Sequence, residues 1–309
     1  MARLRKKKFK LSRRMQNVLM ISLLILGVGV LIFPDISNWY HSNQQEAMRQ
    51  EYNEMVAVME KAEIEYELER ARSFNAGLTG IHIQDPFIPG SGSVRSAEYY
   101  SILNFSGIMG QIEIPRIGVN LSIFHGTADH VLARGVGHME NTPFPVGGYG
   151  NHAILTGHTG LVNAKLFTDL IRLEYGDKFF IQILNERLAY QIEHIEFVYP
   201  HEIEGLYSDE NHDWITLVTC YPYGVNTHRL LVRGTRIDYE EGIAEEIENI
   251  TTIINIRILV IIGFGLFFAT VLIFYQIRKS RAVRKKIFDS QIEEEYENIQ
   301  NATQNKNKS

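Results

Sequence analysis

The 309-residue chain has one cysteine, Cys220, which closes the run Trp214-Ile-Thr-Leu-Val-Thr-Cys220. Arg229 follows nine residues later in Asn226-Thr-His-Arg229, and His158 lies about sixty residues earlier in Leu155-Thr-Gly-His158-Thr-Gly160. A thiol, an imidazole and a guanidinium are the parts needed for covalent acyl transfer. The thiolate attacks a carbonyl and the imidazole moves protons. The guanidinium cannot act as a base but offers a fixed fork of donors, so it suits an oxyanion or carboxyl clamp.

Each residue also has a plainer explanation. Free cysteine behaves as a small hydrophobe, and a lone one in an apolar strand is ordinarily core. Cys220 instead ends its strand, just before Tyr221-Pro-Tyr-Gly224, where a side chain can emerge at a rim. An ordinary thiol, with pKa about 8.5, needs neighbours that lower it before it can attack. His158 is one of eleven histidines, with His152 and His228 as its nearest rivals. His228 and Arg229 are adjacent on an expected strand, so they point to opposite faces and only one can share a site with Cys220. No metal or cofactor is expected. His125 with His130 and His194 with Glu196 lack a third ligand at metal-like spacing. Gly135-Val-Gly137 and Gly147-Gly-Tyr-Gly150 fit neither nucleotide-binding pattern and read as turns.

The elements that must position these residues are short. Segments 111–115, 119–125, 153–155, 179–184, 188–199, 214–219 and 230–235 are rich in β-branched and aromatic residues, with turn signals between them. That pattern predicts a mainly β barrel or sandwich. Brief helical character is expected around 164–173. Residues 42–73 lack Gly and Pro and predict one helix, with Met55, Met59 and Ala62 on a packed face. Residues 75–92 turn to Gly, Pro and Ser, a connection long enough to serve as a binding loop or lid.

Two uncharged apolar runs, 18–33 and 258–275, bracket this region. A bilayer core needs about 20 apolar residues, with roughly 17 as the lower bound. The first run follows eight basic residues within the first sixteen. It continues into Phe33-Pro34-Asp35-Ile36 rather than a small-residue cleavage pattern, so it reads as an uncleaved anchor. Arg278 to Lys286 supply basic residues after the second run. The positive-inside rule then puts both termini in the cytoplasm and residues 40–252 outside the cell. Between the basic ends stand 15 Lys and Arg against 31 Asp and Glu, a net charge of about −16. So acidic a region is a poor nucleic-acid binder. A single cysteine also excludes an internal disulfide framework and a CxxC zinc site.

The string Thr216-Leu-Val-Thr-Cys220, followed by Asn226-Thr-His-Arg229-Leu-Leu-Val-Arg-Gly234, resembles the TLxTC signature of the sortase family and its downstream arginine. His125-Gly-Thr, Gly135-Val-Gly-His138 and Leu155-Thr-Gly-His158 resemble its class C, the pilin-polymerising sortases. Asp85-Pro86-Phe87 is similar to the lid motif of that class, and the run 258–275 to its second membrane span. Thr159, Val162 and Tyr221 depart from the usual pattern, which bears on substrate preference near the cleft. The resemblance implies a closed β-barrel of about eight strands with short helices, an N-terminal helix and a lid loop, flanked by two transmembrane helices. It implies a division into 1–17 cytoplasmic, 18–33 anchor, 34–74 helical, 75–94 lid, 95–238 catalytic barrel, 239–257 acidic helix or linker, 258–275 membrane helix and 276–309 cytoplasmic tail. It implies a transpeptidase in which Cys220 cleaves LPxTG-type signals between Thr and Gly through a thioacyl intermediate. His158 is then the acid/base and Arg229 the oxyanion or substrate clamp. Separate Cys⁻ and His⁺ charges fit that chemistry. The partners implied are LPxTG-bearing pilin or surface proteins, a lysine or peptidoglycan amine, and the membrane. Asp85 pairing with Arg229 while Phe87 covers Cys220 would mimic substrate. The alternatives are a housekeeping-type sortase that attaches proteins to peptidoglycan, a thiol protease, and a catalytically silent scaffold.

Overall fold

A computed structural model of the chain describes residues 12–78, 85–87, 96–161, 164–206 and 209–239, together with scattered helical positions between 263 and 292. The chain divides into two units, Met1–Ile247 and Glu248–Ser309.

In the first unit eight strands close into a barrel. They are β1 (Ile108–Ile114), β2 (Val119–His125), β3 (Val136–His138), β4 (His152–Thr156), β5 (Lys178–Ile183), β6 (Glu186–Val198), β7 (Trp214–Tyr221) and β8 (His228–Ile237). Around the barrel the order is β1-β2-β3-β4-β7-β8-β6-β5. The β2/β3 and β4/β7 pairs are parallel and the rest antiparallel. Alternation sends Ala153, Leu155, Ile215, Leu217, Leu230 and Val232 into the main core. The opposite face of the same strands carries a second apolar cluster of Ile154, Val218, Leu231, Val198, Met139 and Ile203.

Sequence pattern anticipates seven of these strands and misses β3. Gly135 and Gly137 suggest a turn, but both are strand-packing glycines. A Cβ on Gly137 would lie 2.3 Å from the Gly126 carbonyl oxygen and 2.8 Å from Leu132 Cδ2, so only glycine lets the strands approach. The helical character expected around 164–173 reduces to turns and a 3₁₀ turn, Leu170–Arg172.

The single helix expected over 42–73 is two. Helix α1 (Arg13–Val58) ends where Met59 turns extended, and α2 (Lys61–Gly77) begins after Glu60. No Gly or Pro marks that break. The α1 helix docks through Gln45, which accepts from Ser122 N at 2.9 Å, and through Tyr52. The buried Tyr52 hydroxyl donates to Met109 O and accepts from Leu184 N at 2.7 Å. In α2, Ile64, Leu68, Ala71 and Asn75 form the buried stripe. Short helices α3 (Ala97–Ser101) and α4 (Asp129–Leu132) complete the unit.

No single helix among the described residues is long and apolar enough to cross a membrane. Met15–Val30 and Ile32–Val58, which meet at 41°, pass together by length and composition. Pro34 lies inside this helix. It lacks the N–H that would bond the Val30 carbonyl, and its ring crowds that carbonyl, which accounts for a bend at this point.

In the second unit, residues 276–281 and 288–292 are helical, and the Arg278 guanidinium lies 6.0 Å from the Phe274 ring centroid. The expected acidic helix or linker at 239–257, apart from Tyr239, and most of the apolar run 258–275 lie outside the described residues. So do residues 1–11, and the expected lid apart from 75–78 and 85–87.

Candidate active site

Cys220 and Arg229 are register partners on β7 and β8, so the two side chains emerge on one face. Val218 and Leu231 precede them along that face and belong to the second apolar cluster. His158 arrives from β4. Thr156 pairs with Val218 in the parallel ladder, Gly157 N donates to Val218 O at 3.1 Å, and Thr219 Oγ1 donates to Gly157 O at 2.7 Å. The next residue is His158, whose ring lies 5.7 Å from that of Phe87. Gly157 is obligatory here, because a Cβ would meet the Phe167 ring at 2.7 Å.

Asp85 reaches this site from outside the barrel. Its carboxylate, 3% exposed, accepts from Arg229 Nε at 2.9 Å and from Nη2 at 2.6 Å, a two-pronged pair. Arg229 Nη1 donates to the carbonyls of Asn226 at 3.0 Å and His228 at 2.9 Å, which aims the guanidinium. Phe87 N donates to Asp85 Oδ1, so the three-residue turn holds itself together. Pro86 is buried. The Phe87 ring lies 5.0 Å from the Arg229 guanidinium and 5.7 Å from the His158 ring, and it packs on the second apolar cluster.

Charge follows from this burial. Cys220 is 8% exposed. Burial pushes its thiol up to about 11, with the Asp85 carboxylate adding to the rise and Arg229 opposing it. Burial also lowers the His158 imidazole, against an opposing pull from Asp129. Both shifts favour the neutral thiol and the neutral imidazole in this closed arrangement.

The rival histidines are used elsewhere. His152 Nε2 lies 2.7 Å from Thr216 Oγ1, with its ring edge-on to Trp214. The His228 ring packs at a tilt against Tyr199, with the centroids 4.5 Å apart. His125 Nε2 bonds Ile102 O, and His194 pairs with Glu196 at 3.2 Å on the surface. Among the described residues no group of three or more His, Cys, Asp or Glu could hold a metal ion. Sequence reasoning misses the apolar floor of Ile154, Val218 and Leu231, which strand alternation can reveal.

The sortase domain family profile matches residues 112–237. The chain is 26% identical over 222 residues to Sortase A of Bacillus anthracis, covering 72% of this chain and 94% of that one. The crystal structure of sortase C-1 from Streptococcus pneumoniae superposes with a TM-score of 0.60 at 40% identity, covering 63% of this chain and all of that one. A pilus-related Sortase C of Group B Streptococcus gives a TM-score of 0.58 at 39% identity, over 62% of this chain and 97% of that one.

Proposed function

The chain belongs to the sortase family as a cysteine transpeptidase, and from that premise we propose that it is a membrane-anchored pilin polymerase whose resting site is closed by a lid. Cys220 Sγ attacks the Thr–Gly carbonyl carbon of an LPxTG-type signal, and the C–N bond breaks to leave a thioester. His158 takes the thiol proton and gives it to the departing glycine amine. Arg229 donates to the carbonyl oxygen as it becomes negative. The amine of a pilin lysine then attacks the thioester, His158 collects its proton, and Cys220 leaves as thiol with that proton. The products are a new amide and the starting enzyme.

The observation that carries this reading is the seat of Asp85-Pro86-Phe87. Asp85 engages the guanidinium needed for the substrate oxygen, and Phe87 lies on an apolar floor suited to the leucine of the signal. A tethered occupant competes at high effective concentration, so apparent affinity for the signal falls with the fraction of closed enzyme. The anchor would be the bent pair Met15–Val30 and Ile32–Val58, with a second span at 258–275, the catalytic unit outside and both termini in the cytoplasm. Trp39 and Tyr40, each more than 60% exposed on α1, suit the interface.

The test offers one LPxTG-type peptide with two acceptors, a pilin-derived lysine peptide and a peptidoglycan cross-bridge amine, and identifies products by mass. A joined lysine product supports pilin polymerisation. Joining only to the cross-bridge amine assigns the housekeeping role, and hydrolysis unaffected by either amine assigns a protease.

A further inference from the structure

We propose that Thr156 binds substrate, its hydroxyl accepting a hydrogen bond from the main-chain N–H of the variable residue of the signal. This deepens the transpeptidase reading and rests on it. Thr156 is fully buried, yet among the described residues its Oγ1 has no hydrogen-bond partner. Hiding a hydroxyl from water without a partner is unfavourable, and a valine of the same shape would avoid that cost. Buried threonines nearby show what such a hydroxyl does when it serves only the fold. Thr216 Oγ1 lies 2.7 Å from His152 Nε2, Thr219 Oγ1 donates to Gly157 O at 2.7 Å, and Thr142 Oγ1 donates to Met139 O at 2.8 Å.

The strand period places the Thr156 side chain in the floor of the cleft. Leu155 belongs to the main core, so Ile154 and Thr156 on either side of it take the opposite face. Thr156 pairs with Val218 in the parallel β4/β7 ladder, and Val218 lies two residues before Cys220 on the same face of β7. Ile154 and Val218 both belong to the apolar cluster on which Phe87 packs, and the Phe87 ring also lies 5.7 Å from that of His158. Thr156 therefore stands in the chain between a floor residue of the lid's seat and the histidine that the lid ring meets. On its other side Thr156 pairs with Gly137, where a Cβ would lie 2.8 Å from Leu132 Cδ2, so Leu132 walls the floor at that edge.

Position along the cleft selects the partner. The proposed reaction sets the threonine carbonyl of the signal at Cys220 and its leucine on Ile154, Val218 and Leu231. Thr156, level with Val218, then faces the proline and the variable residue between them. Proline has no N–H, so the N–H of the variable residue is the main-chain donor available to the hydroxyl oxygen. Asp85-Pro86-Phe87 does not make this bond: the turn engages Arg229 and the apolar floor but leaves Thr156 unpaired. A signal that also satisfies Thr156 gains on the tethered turn, and only such a difference between occupants can shift the lid towards opening.

The experiment uses the full chain in detergent and compares wild type, Thr156→Val and Thr156→Ser. It measures kcat and KM for an LPxTG-type peptide and for its analogue with an ester oxygen in place of the N–H of the variable residue, and thermal unfolding of each variant. With the amide peptide, Thr156→Val should lower kcat/KM roughly ten-fold, mostly through KM, and Thr156→Ser should stay near wild type. With the ester peptide, wild type and Thr156→Val should be equal, because neither can form the bond. Thr156→Val should unfold no earlier than wild type. An unchanged KM in Thr156→Val with the amide peptide overturns the proposal, as does a valine penalty that persists with the ester peptide. A Thr156→Val chain that unfolds well below wild type assigns the hydroxyl to the fold and also overturns it. Failure of wild type to turn over either peptide overturns the transpeptidase reading, and this inference with it.

Discussion

Two buried polar clusters meet the segment between α2 and α3, and they are built for opposite ends. One is the Asp85–Arg229 pair, where a three-residue turn sits on a barrel face through one ion pair and one aromatic ring. The other lies where the segment joins the helices. Asn75 at the end of α2 donates to Phe144 O at 3.0 Å and accepts from Phe144 N at 2.7 Å, like a rung of sheet. Tyr99 on α3 accepts from Gly126 N at 3.0 Å and has its hydroxyl 2.9 Å from His138 Nδ1. His138 Nε2 donates to Pro143 O at 2.8 Å, and burial pushes its pKa down to about 3, so the ring stays neutral. Tyr99, His138 and Phe144 stack within 5.8 Å of one another. Burial is similar in both clusters; what differs is how many elements each one ties. The second locks four parts of the fold together, whereas the first fastens only a turn that water can replace.

The largest effect should come from breaking the fixed cluster. Phe144→Ala should cost about 3–5 kcal/mol of stability, measured by denaturant unfolding. Asn75→Ala should cost roughly 1–3 kcal/mol, because it strands both backbone groups of a buried residue. The contrast sharpens with Asp85→Ala. Breaking an obligatorily buried ion pair costs about 3–5 kcal/mol. Here Arg229 regains water when the turn swings away, so the loss should stay under about 1 kcal/mol, as for exposed pairs. An Asp85→Ala loss as large as that of Phe144→Ala would break the comparison.

The smallest effect is on pH. The closed form holds the Cys220 proton more tightly than an exposed thiol does, so closure is fully supported below the ordinary value of 9.0 and is lost as pH rises toward about 11. The closed form also disfavours His158 protonation, so its advantage fades as pH falls through the depressed imidazole value. Lid opening, followed by a spin label or fluorophore on the turn, should therefore be least in the neutral to mildly alkaline range and rise on both sides.

Part of this arrangement is legible in the amino-acid sequence. The two-residue period of strands puts Cys220 and Arg229 on one face once their strands pair as neighbours, and it turns His228 away. The resemblance of Asp85-Pro86-Phe87 to the lid motif of class C sortases implies its pairing with Arg229. Other features are hidden because they depend on contacts between distant segments. The strand that leads to His158 is set beside the strand of Cys220 only by the parallel β4/β7 pairing, which no local pattern announces. The β3 strand is disguised by glycines that serve close packing rather than turning, and the break at Met59 falls in a run of good helix formers. The raised pKa of Cys220 follows from burial by segments that lie far apart along the chain.

The central claim is that Cys220 is a nucleophile masked by a turn held on Arg229. It is tested most directly by intact mass of the full chain in detergent during incubation with an LPxTG-type peptide, comparing wild type, Asp85→Ala/Phe87→Ala and Cys220→Ala. The account predicts a covalent adduct that forms at least about ten-fold faster in the lid variant and never in Cys220→Ala. An adduct rate unchanged by removing Asp85 and Phe87, or an adduct that survives in Cys220→Ala, would contradict it.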